Sequence, residues 1–393
     1  MFRFPYRSLL VLLLAGMLGC AEEHPPLDQQ VYVWQRQWRT SHAEALAQSR
    51  TDFSTLRVLA LQAHPQAGWS RARPNLELLR RDGRPLLAVV RLDGQLPQLD
   101  PAEIERQIAG LVRDWRDAGL PLRGLEIDHD CTTARLPAYA ALLRELRRQL
   151  PDELPLSITA LPAWLASPAL DEVLAAVDAS VLQVHAVVAP QQGLFDPKQA
   201  LDWAERYGKR SHKPFHLALP AYGVALTDDG QVESETPLRQ GGPRHELRAD
   251  PRQVEELLTK LRRTRPDHLA GIIWFRLPLA GDRRAWPMPT LLAVVRGQPL
   301  EAALALQHQQ KQGFSHLQLF NNGTLASRLP SRIELPVQAC SAADAVGDYR
   351  VERSEDRLAF VRRREGRLDA GEHRALGWAR CEQIDQGGMH VQF

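Results

Sequence analysis

The feature that most constrains this chain is a rhythm. Between residues 31 and 298, short apolar, β-branched runs alternate with amphipathic stretches of helical period. The runs are Val31-Trp34, Arg57-Ala63, Leu86-Leu92, Arg123-Asp130, Leu156-Leu161, Ser180-Val187, Phe215-Pro220 and Gly271-Leu277, eight in all. Runs of this kind, each followed by a helical crossover, mark βα units around a parallel sheet. Eight of them over roughly 265 residues match a (β/α)8 barrel in size, whereas a doubly wound sheet would bring a Gly-rich dinucleotide loop. The chain has no such loop. The expected fold class is α/β, a (β/α)8 TIM barrel over residues 31–298 followed by a small C-terminal β-sandwich-like domain.

The helical stretches carry their own signals. Residues 101–118 place Ile104, Ile108, Leu111, Val112 and Trp115 at a period near 3.6, with Asp100 as N-cap, Pro101 at the first turn and Gly119 as stop. Residues 139–150, 196–207 and 251–263 behave likewise. The polar stretch 227–250, with Gly241-Gly242, reads as a long loop above the seventh strand, on the face where barrel active sites sit. Residues 301–310 read as a helix, making 299–311 a helical linker. From 312 to 393, short alternating runs at 317–320, 332–335 and 357–361 are split by turns at Asn321-Asn322-Gly323 and Gly347-Asp348.

The N-terminus points to the cell envelope. Arg3 and Arg7 precede the apolar run 9–18, which ends in Gly19-Cys20, the layout of a secretory signal too short to span a bilayer. Met17-Leu18-Gly19-Cys20 resembles a bacterial lipobox. That resemblance implies a signal peptide over 1–19, acylation of Cys20, a tether over 20–30 and a lipid anchor in the membrane. Ala21 fits sorting to the outer membrane, so the expected location is an outer-membrane lipoprotein facing the periplasm. With 49 Lys+Arg against 47 Asp+Glu the formal charge is +2, and nothing suggests a nucleic-acid-binding stripe. In an oxidising compartment Cys340 and Cys381 could form a disulfide, two free thiols being the alternative. No Cys/His/Asp cluster has metal spacing, so neither a metal nor a cofactor is expected. Gly-x-Ser-x-Gly, Walker and His-Glu-x-x-His motifs are also missing from the sequence.

The chemistry concentrates on the fourth run, Arg123-Gly-Leu-Glu126-Ile-Asp128-His129-Asp130. Side chains alternate along a strand, so Glu126, Asp128 and Asp130 point to one side while Leu125, Ile127 and His129 point to the other. The apolar side must meet the helices. Three carboxylates are then stacked inside the barrel, where mutual repulsion raises at least one pKa and keeps one acid protonated beside a charged neighbour. Glycoside hydrolysis needs that division of labour. A structural cluster neutralised by Arg91 is the alternative.

This strand resembles the catalytic strand of family 18 glycoside hydrolases, Asp-Gly-x-Asp-x-Asp-x-Glu. Arg123 stands at the first Asp, Gly124 matches, Glu126 takes the second Asp, Asp128 matches the third, and Asp130 replaces the final Glu. Leu217-Ala-Leu-Pro220-Ala-Tyr222-Gly223 is similar to the seventh-strand segment of those enzymes, and Gly271-Ile-Ile-Trp274 to the eighth. Where that family has Met-x-Tyr-Asp and Ser-x-Gly-Gly, this chain reads Gln183-Val184-His185-Ala186 and Val89-Val90-Arg91-Leu92-Asp93. The whole chain also looks like a family of bacterial lipoproteins with glycosidase-like barrels. The resemblance implies that Asp130 protonates the glycosidic oxygen and that Asp128 orients a 2-acetamido group whose carbonyl attacks the anomeric carbon. It further implies that Tyr222 and His185 hydrogen-bond the sugar and that Trp274 floors it.

Gln183, Arg91, Asp93 and Trp34 join these as substrate-binding candidates at strand ends, with Gln62 and His64 beside them. Trp69 and Trp164 belong either to a stacking platform or to the barrel wall. The expected function is hydrolysis of an amino-sugar polysaccharide. The rival is a non-catalytic carbohydrate-binding or scaffold lipoprotein, and a third reading is an assembly protein recognised through its C-terminal module.

Overall fold

The computed structural model describes residues 25–185, 193–227, 232–233 and 244–393. The proposed signal peptide, Cys20 and Ala186 lie outside these residues. Eight parallel strands close into a barrel: β1 (Asp28–Val33), β2 (Thr55–His64), β4 (Leu86–Leu92), β5 (Leu122–Asp128), β6 (Leu156–Ala160), β7 (Ala179–Gln183), β8 (Phe215–Pro220) and β12 (Leu269–Phe275). Closure comes from β1, which pairs with β12 through Val31–Trp274 and with β2 through Val31–Leu56. The short β3 (Gly68–Arg71) runs antiparallel to the end of β2.

Helices α1 (Ser41–Gln48), α2 (Leu76–Asp82), α3 (Pro101–Asp117), α4 (Leu136–Gln149), α5 (Ala169–Ala175), α6 (Pro197–Gly208), α7 (Pro251–Arg263) and α8 (Met288–Arg296) connect the strands. In α3 the Asp100 side chain accepts from the Ala102 and Glu103 amides, while Ile104, Ile108, Leu111 and Trp115 are buried. Such a cap contributes about 1 kcal/mol by satisfying amides that have no intrahelical partner. The main core lies between strands and helices. A second, smaller cluster of Tyr32, Trp34, Leu59, Val89, Val181, Ala218 and Ile273 fills the barrel interior.

Two sequence expectations are corrected. The stretch 227–250 is not simply a loop: β9 (Gly223–Thr227) pairs antiparallel with β10 (Val232–Glu233) and with β11 (Arg244–Arg248), so its described parts form a small sheet beyond β8. Residues 299–311 are not a helical linker, because β13 (Leu304–Lys311) is a strand paired along its full length with β14 (Phe314–Asn321). The composition Leu-Gln-His-Gln-Gln-Lys suits a helix locally, but eight cross-strand pairs and burial of Leu306 against the module's core override that weak preference.

The C-terminal module has its own core around Leu317, Leu319, Ile333, Leu335, Leu358, Phe360 and Leu376. One antiparallel sheet orders β13, β14, β21 (His373–Arg380) and β17 (Ala342–Ala345). The other orders β18 (Tyr349–Arg353), β19 (Arg357–Arg362), β16 (Arg332–Gln338) and β22 (Gln383–Ile384), with β23 (His390–Gln392) also on β16. A two-stranded ribbon joins β15 (Ser327–Arg328) to β20 (Arg367–Leu368). Cys340 and Cys381 are disulfide-bonded, and Cys131 is a buried free thiol.

Candidate active site

Strand β5 carries its carboxylates into the barrel, as the alternation requires. Leu125 and Ile127 join the outer core, and the His129 ring lies outside too, its Nδ1 2.8 Å from the Leu92 carbonyl and its edge against Tyr139. Glu126 and Asp128 are buried, and Asp130 sits just past the strand end. A Cβ at Gly94 would overlap the Asp130 carbonyl, so the turn after β4 packs directly on the backbone that holds this acid.

The three acids have different surroundings. Glu126 lies deepest, paired with Arg57 and accepting from the Tyr32 hydroxyl at 2.7 Å. Arg57 also donates to Gln30 at 2.8 Å. Burial pushes the Glu126 carboxyl up from its ordinary value, opposed by Arg57 and by the Tyr32 hydrogen bond. This set ties β1, β2 and β5 together below the open end, and places Glu126 out of the cavity. Asp128 accepts from Thr159 at 2.7 Å and from Gln183 at 3.3 Å on one oxygen, and from Arg91 on the other.

Asp130 accepts from the second terminal nitrogen of Arg91 at 3.0 Å, and its other oxygen is buried without a partner. Burial and the neighbouring Asp128 charge raise its pKa to about 6 despite Arg91. Near neutrality it therefore exchanges its proton readily.

These two acids line a cavity of about 300 Å³ together with Tyr32, Trp34, Arg36, Gln62, Arg91, Thr159, Gln183, His185 and Phe275. Trp34 meets Phe275 edge-on at 5.1 Å and Tyr32 at 5.8 Å, and the Arg91 guanidinium lies 6.0 Å from its ring centre. His185 stacks on Phe275, and burial lowers its pKa to about 4, so it is neutral at pH 7. Tyr222 packs edge-on against both rings, and its hydroxyl donates to the His185 carbonyl at 3.3 Å. Burial pushes that phenol up to about 12.

Of the residues singled out from sequence, Asp128, Asp130, Arg91, Gln183, His185, Trp34 and Gln62 converge on the cavity, with Tyr222 behind His185. Trp274 does not. It is fully buried in the layer between strand and helices, its Nε1 donating to Gln29 at 2.8 Å. The aromatic side chain that reaches the cavity from β12 is its neighbour Phe275. Ile272-Ile273-Trp274-Phe275 is apolar on both faces, so no alternation reveals which residues turn inward. Asp93 stays outside the cavity, accepting from the Gln95 amide at 2.8 Å and lying 4.0 Å from His64 Nε2. Trp164 belongs to the wall, donating to the Cys131 carbonyl at 2.9 Å, and Trp69 packs on the outer core.

Tyr32, Arg36, Thr159 and Phe275 are cavity residues that sequence reasoning missed. Tyr32 and Thr159 carry a parity signal, Tyr32 standing two positions from Trp34 and Thr159 two from Ser157, whose hydroxyl faces Glu126. Among the described residues, no three His, Cys, Asp or Glu side chains converge as a metal site requires.

Residues 82–280, just over half of the chain, match a family described as a domain of unknown function, DUF3142, and residues 304–382 match a second, DUF8456. No curated protein matches the sequence. Among solved structures, the fold is similar to that of the Bacillus cereus spore cortex-lytic enzyme SleL. The TM-score is 0.52 at 13% identity, over 69% of this chain and 74% of that one. The Bacillus megaterium SleL aligns with a TM-score of 0.47 at 13% identity, over 64% and 71%. A Chromobacterium violaceum chitinase aligns with a TM-score of 0.49 at 14% identity, over 65% and 96%.

Proposed function

Because the chain belongs to the DUF3142 family, whose description assigns no activity, we propose from the barrel mouth that it is an envelope lipoprotein that hydrolyses an amino-sugar-containing polysaccharide. The observation that carries this reading is the unequal pair at the mouth. Asp130 has a pKa near 6 and one buried oxygen without a partner, while Asp128 is held by Thr159, Gln183 and Arg91. A carboxyl of that pKa keeps a useful protonated fraction at neutral pH and gives up its proton readily, as a general acid must.

Asp130 protonates the glycosidic oxygen. Asp128, fixed in orientation, accepts the N–H of a 2-acetamido group so that the acetamido carbonyl attacks the anomeric carbon as the bond to the protonated leaving oxygen breaks; water then adds at the anomeric carbon, frees the acetamido group and returns a proton to Asp130. Trp34 and Phe275 offer apolar faces to the sugar, with the neutral His185 and Gln183 as hydrogen-bonding partners. The likeness in fold to a cortex-lytic enzyme supports a polysaccharide substrate. The N-terminal sequence supports attachment to the outer membrane through Cys20, facing the periplasm, with the barrel acting on glycan chains there.

One observation favours a second reading. Arg91 bonds Asp128 and Asp130 at once, and a guanidinium that occupies both acids suits a non-catalytic carbohydrate-binding barrel. The wild type and Asp130→Asn decide between them on N-acetylated glycans, with reducing-end release and binding measured together. A hydrolase releases reducing ends, and the variant loses this by 10²-fold or more, on the order expected for a general acid. Binding by both proteins with no release establishes the carbohydrate-binding barrel instead.

A further inference from the structure

The charges around the cavity are not evenly paired. Its ionisable lining consists of Arg36 and Arg91 against Asp128 and Asp130, with His185 neutral. The acid-competent form, with Asp130 protonated, leaves two guanidinium groups facing one carboxylate. Arg91 spends its hydrogen bonds on the two Asp side chains. Arg36 has nothing comparable: it is exposed at the cavity edge, and among the described residues its guanidinium makes no hydrogen bond or ion pair.

The backbone of Arg36 is also held in place. Its carbonyl accepts from the Arg73 amide at 2.7 Å, and Gln37 forms a β-bridge with Arg73, which anchors the turn after β1 to the segment beyond β3. Arg73 likewise makes no ion pair or side-chain hydrogen bond among the described residues. Both side chains are exposed, so each guanidinium is open to a partner from solution. Their planar, five-donor heads match the two oxygens of a carboxylate or sulfate.

We propose that the glycan taken by this cavity carries a carboxylate substituent on the sugar seated beside Arg36. The inference rests on the reading of the site as a glycan site and adds its substrate class. A neutral acetamido sugar leaves Arg36 without a partner. An acidic sugar pairs with Arg36 while its neighbour in the chain lies over Trp34 and Phe275, in reach of Asp130.

The carboxylate could be that of a uronic acid or of a lactyl ether, so two matched pairs of probes are needed. Hyaluronan oligosaccharides are compared with their carboxyl-reduced counterparts. Peptide-free glycan strands bearing lactyl ethers are compared with N-acetylglucosamine oligomers of equal length. Binding to the full chain is measured by calorimetry, and cleavage by reducing-end release.

The anionic member of at least one pair should bind about five- to tenfold more tightly, the range expected for one charge-assisted contact at a partly exposed site. That preference should fall toward one in Arg36→Gln, persist in part in Arg36→Lys, and shrink between 0.05 and 0.5 M salt. Which pair responds identifies the source of the carboxylate. Equal binding and cleavage of both members of each pair overturns the inference and leaves the glycan site standing. Failure of all four probes to bind or be cleaved overturns the glycan reading itself, and this inference with it.

Discussion

Asp130 shows how much one side chain's surroundings decide. Its placement inside the barrel was legible from Glu126-Ile-Asp128-His129-Asp130, because charged and apolar residues alternate there. Its pairing with Arg91 joins residues 39 positions apart, and the sequence offered Arg91 both as a partner for the cluster and as a substrate-binding residue. The pKa near 6 lies above the ordinary Asp value of 3.8, so this group's contribution to stability is complete below about pH 4 and is lost as pH rises through 6. Asp130→Asn imitates the protonated form. Its thermal midpoint relative to wild type should therefore rise between pH 4 and pH 7.5, and an equal difference at both pH values would show that Asp130 titrates as an ordinary Asp. Trp274 is the opposite case, since its strand is apolar on both faces and only the closed barrel shows which way the indole turns.

At the scale of elements, strands and helices inside the barrel were legible and the connections were not. The run 86–92 and the helix capped by Asp100 appear where periodicity and capping put them, because burial on one or both faces is written locally. The segments 227–250 and 299–311 were misread, because their strands are stabilised by partners rather than by their own composition. The set joining β1, β2 and β5 supplies a test. Arg57 and Glu126 are 3% and 0% exposed, so Arg57→Ala leaves a carboxylate buried without its counter-charge. The expected cost is about 3–5 kcal/mol, read as a lower urea midpoint. A loss under 1 kcal/mol would mean that water or Tyr32 already compensates Glu126.

The whole molecule carries two separate cores, one around the barrel and one inside the C-terminal module. They meet through polar contacts such as Arg248 with Asp369 at 2.9 Å and Thr290 with the Thr324 carbonyl at 2.6 Å, and through Leu325, which packs on the barrel's core. The Cys340–Cys381 bond closes a separation of 41 residues within the second unit. By loop entropy it contributes about 4 kcal/mol to that unit. Reduction should lower the thermal transition of the C-terminal module and leave that of the barrel in place. A common shift of both transitions would show that the two units melt as one.

By itself, the sequence determined the βα rhythm, the count of eight strands, the inward row of carboxylates and the change of architecture after residue 298. All of these follow from side-chain periodicity and burial, which act over a few residues. Only the tertiary structure decided that Arg91 spans Asp128 and Asp130, that Phe275 rather than Trp274 reaches the cavity, and that Arg36 stands at its edge without a counter-charge. Those outcomes depend on strand register and barrel closure, which bring distant residues within hydrogen-bonding distance and leave no trace in local composition.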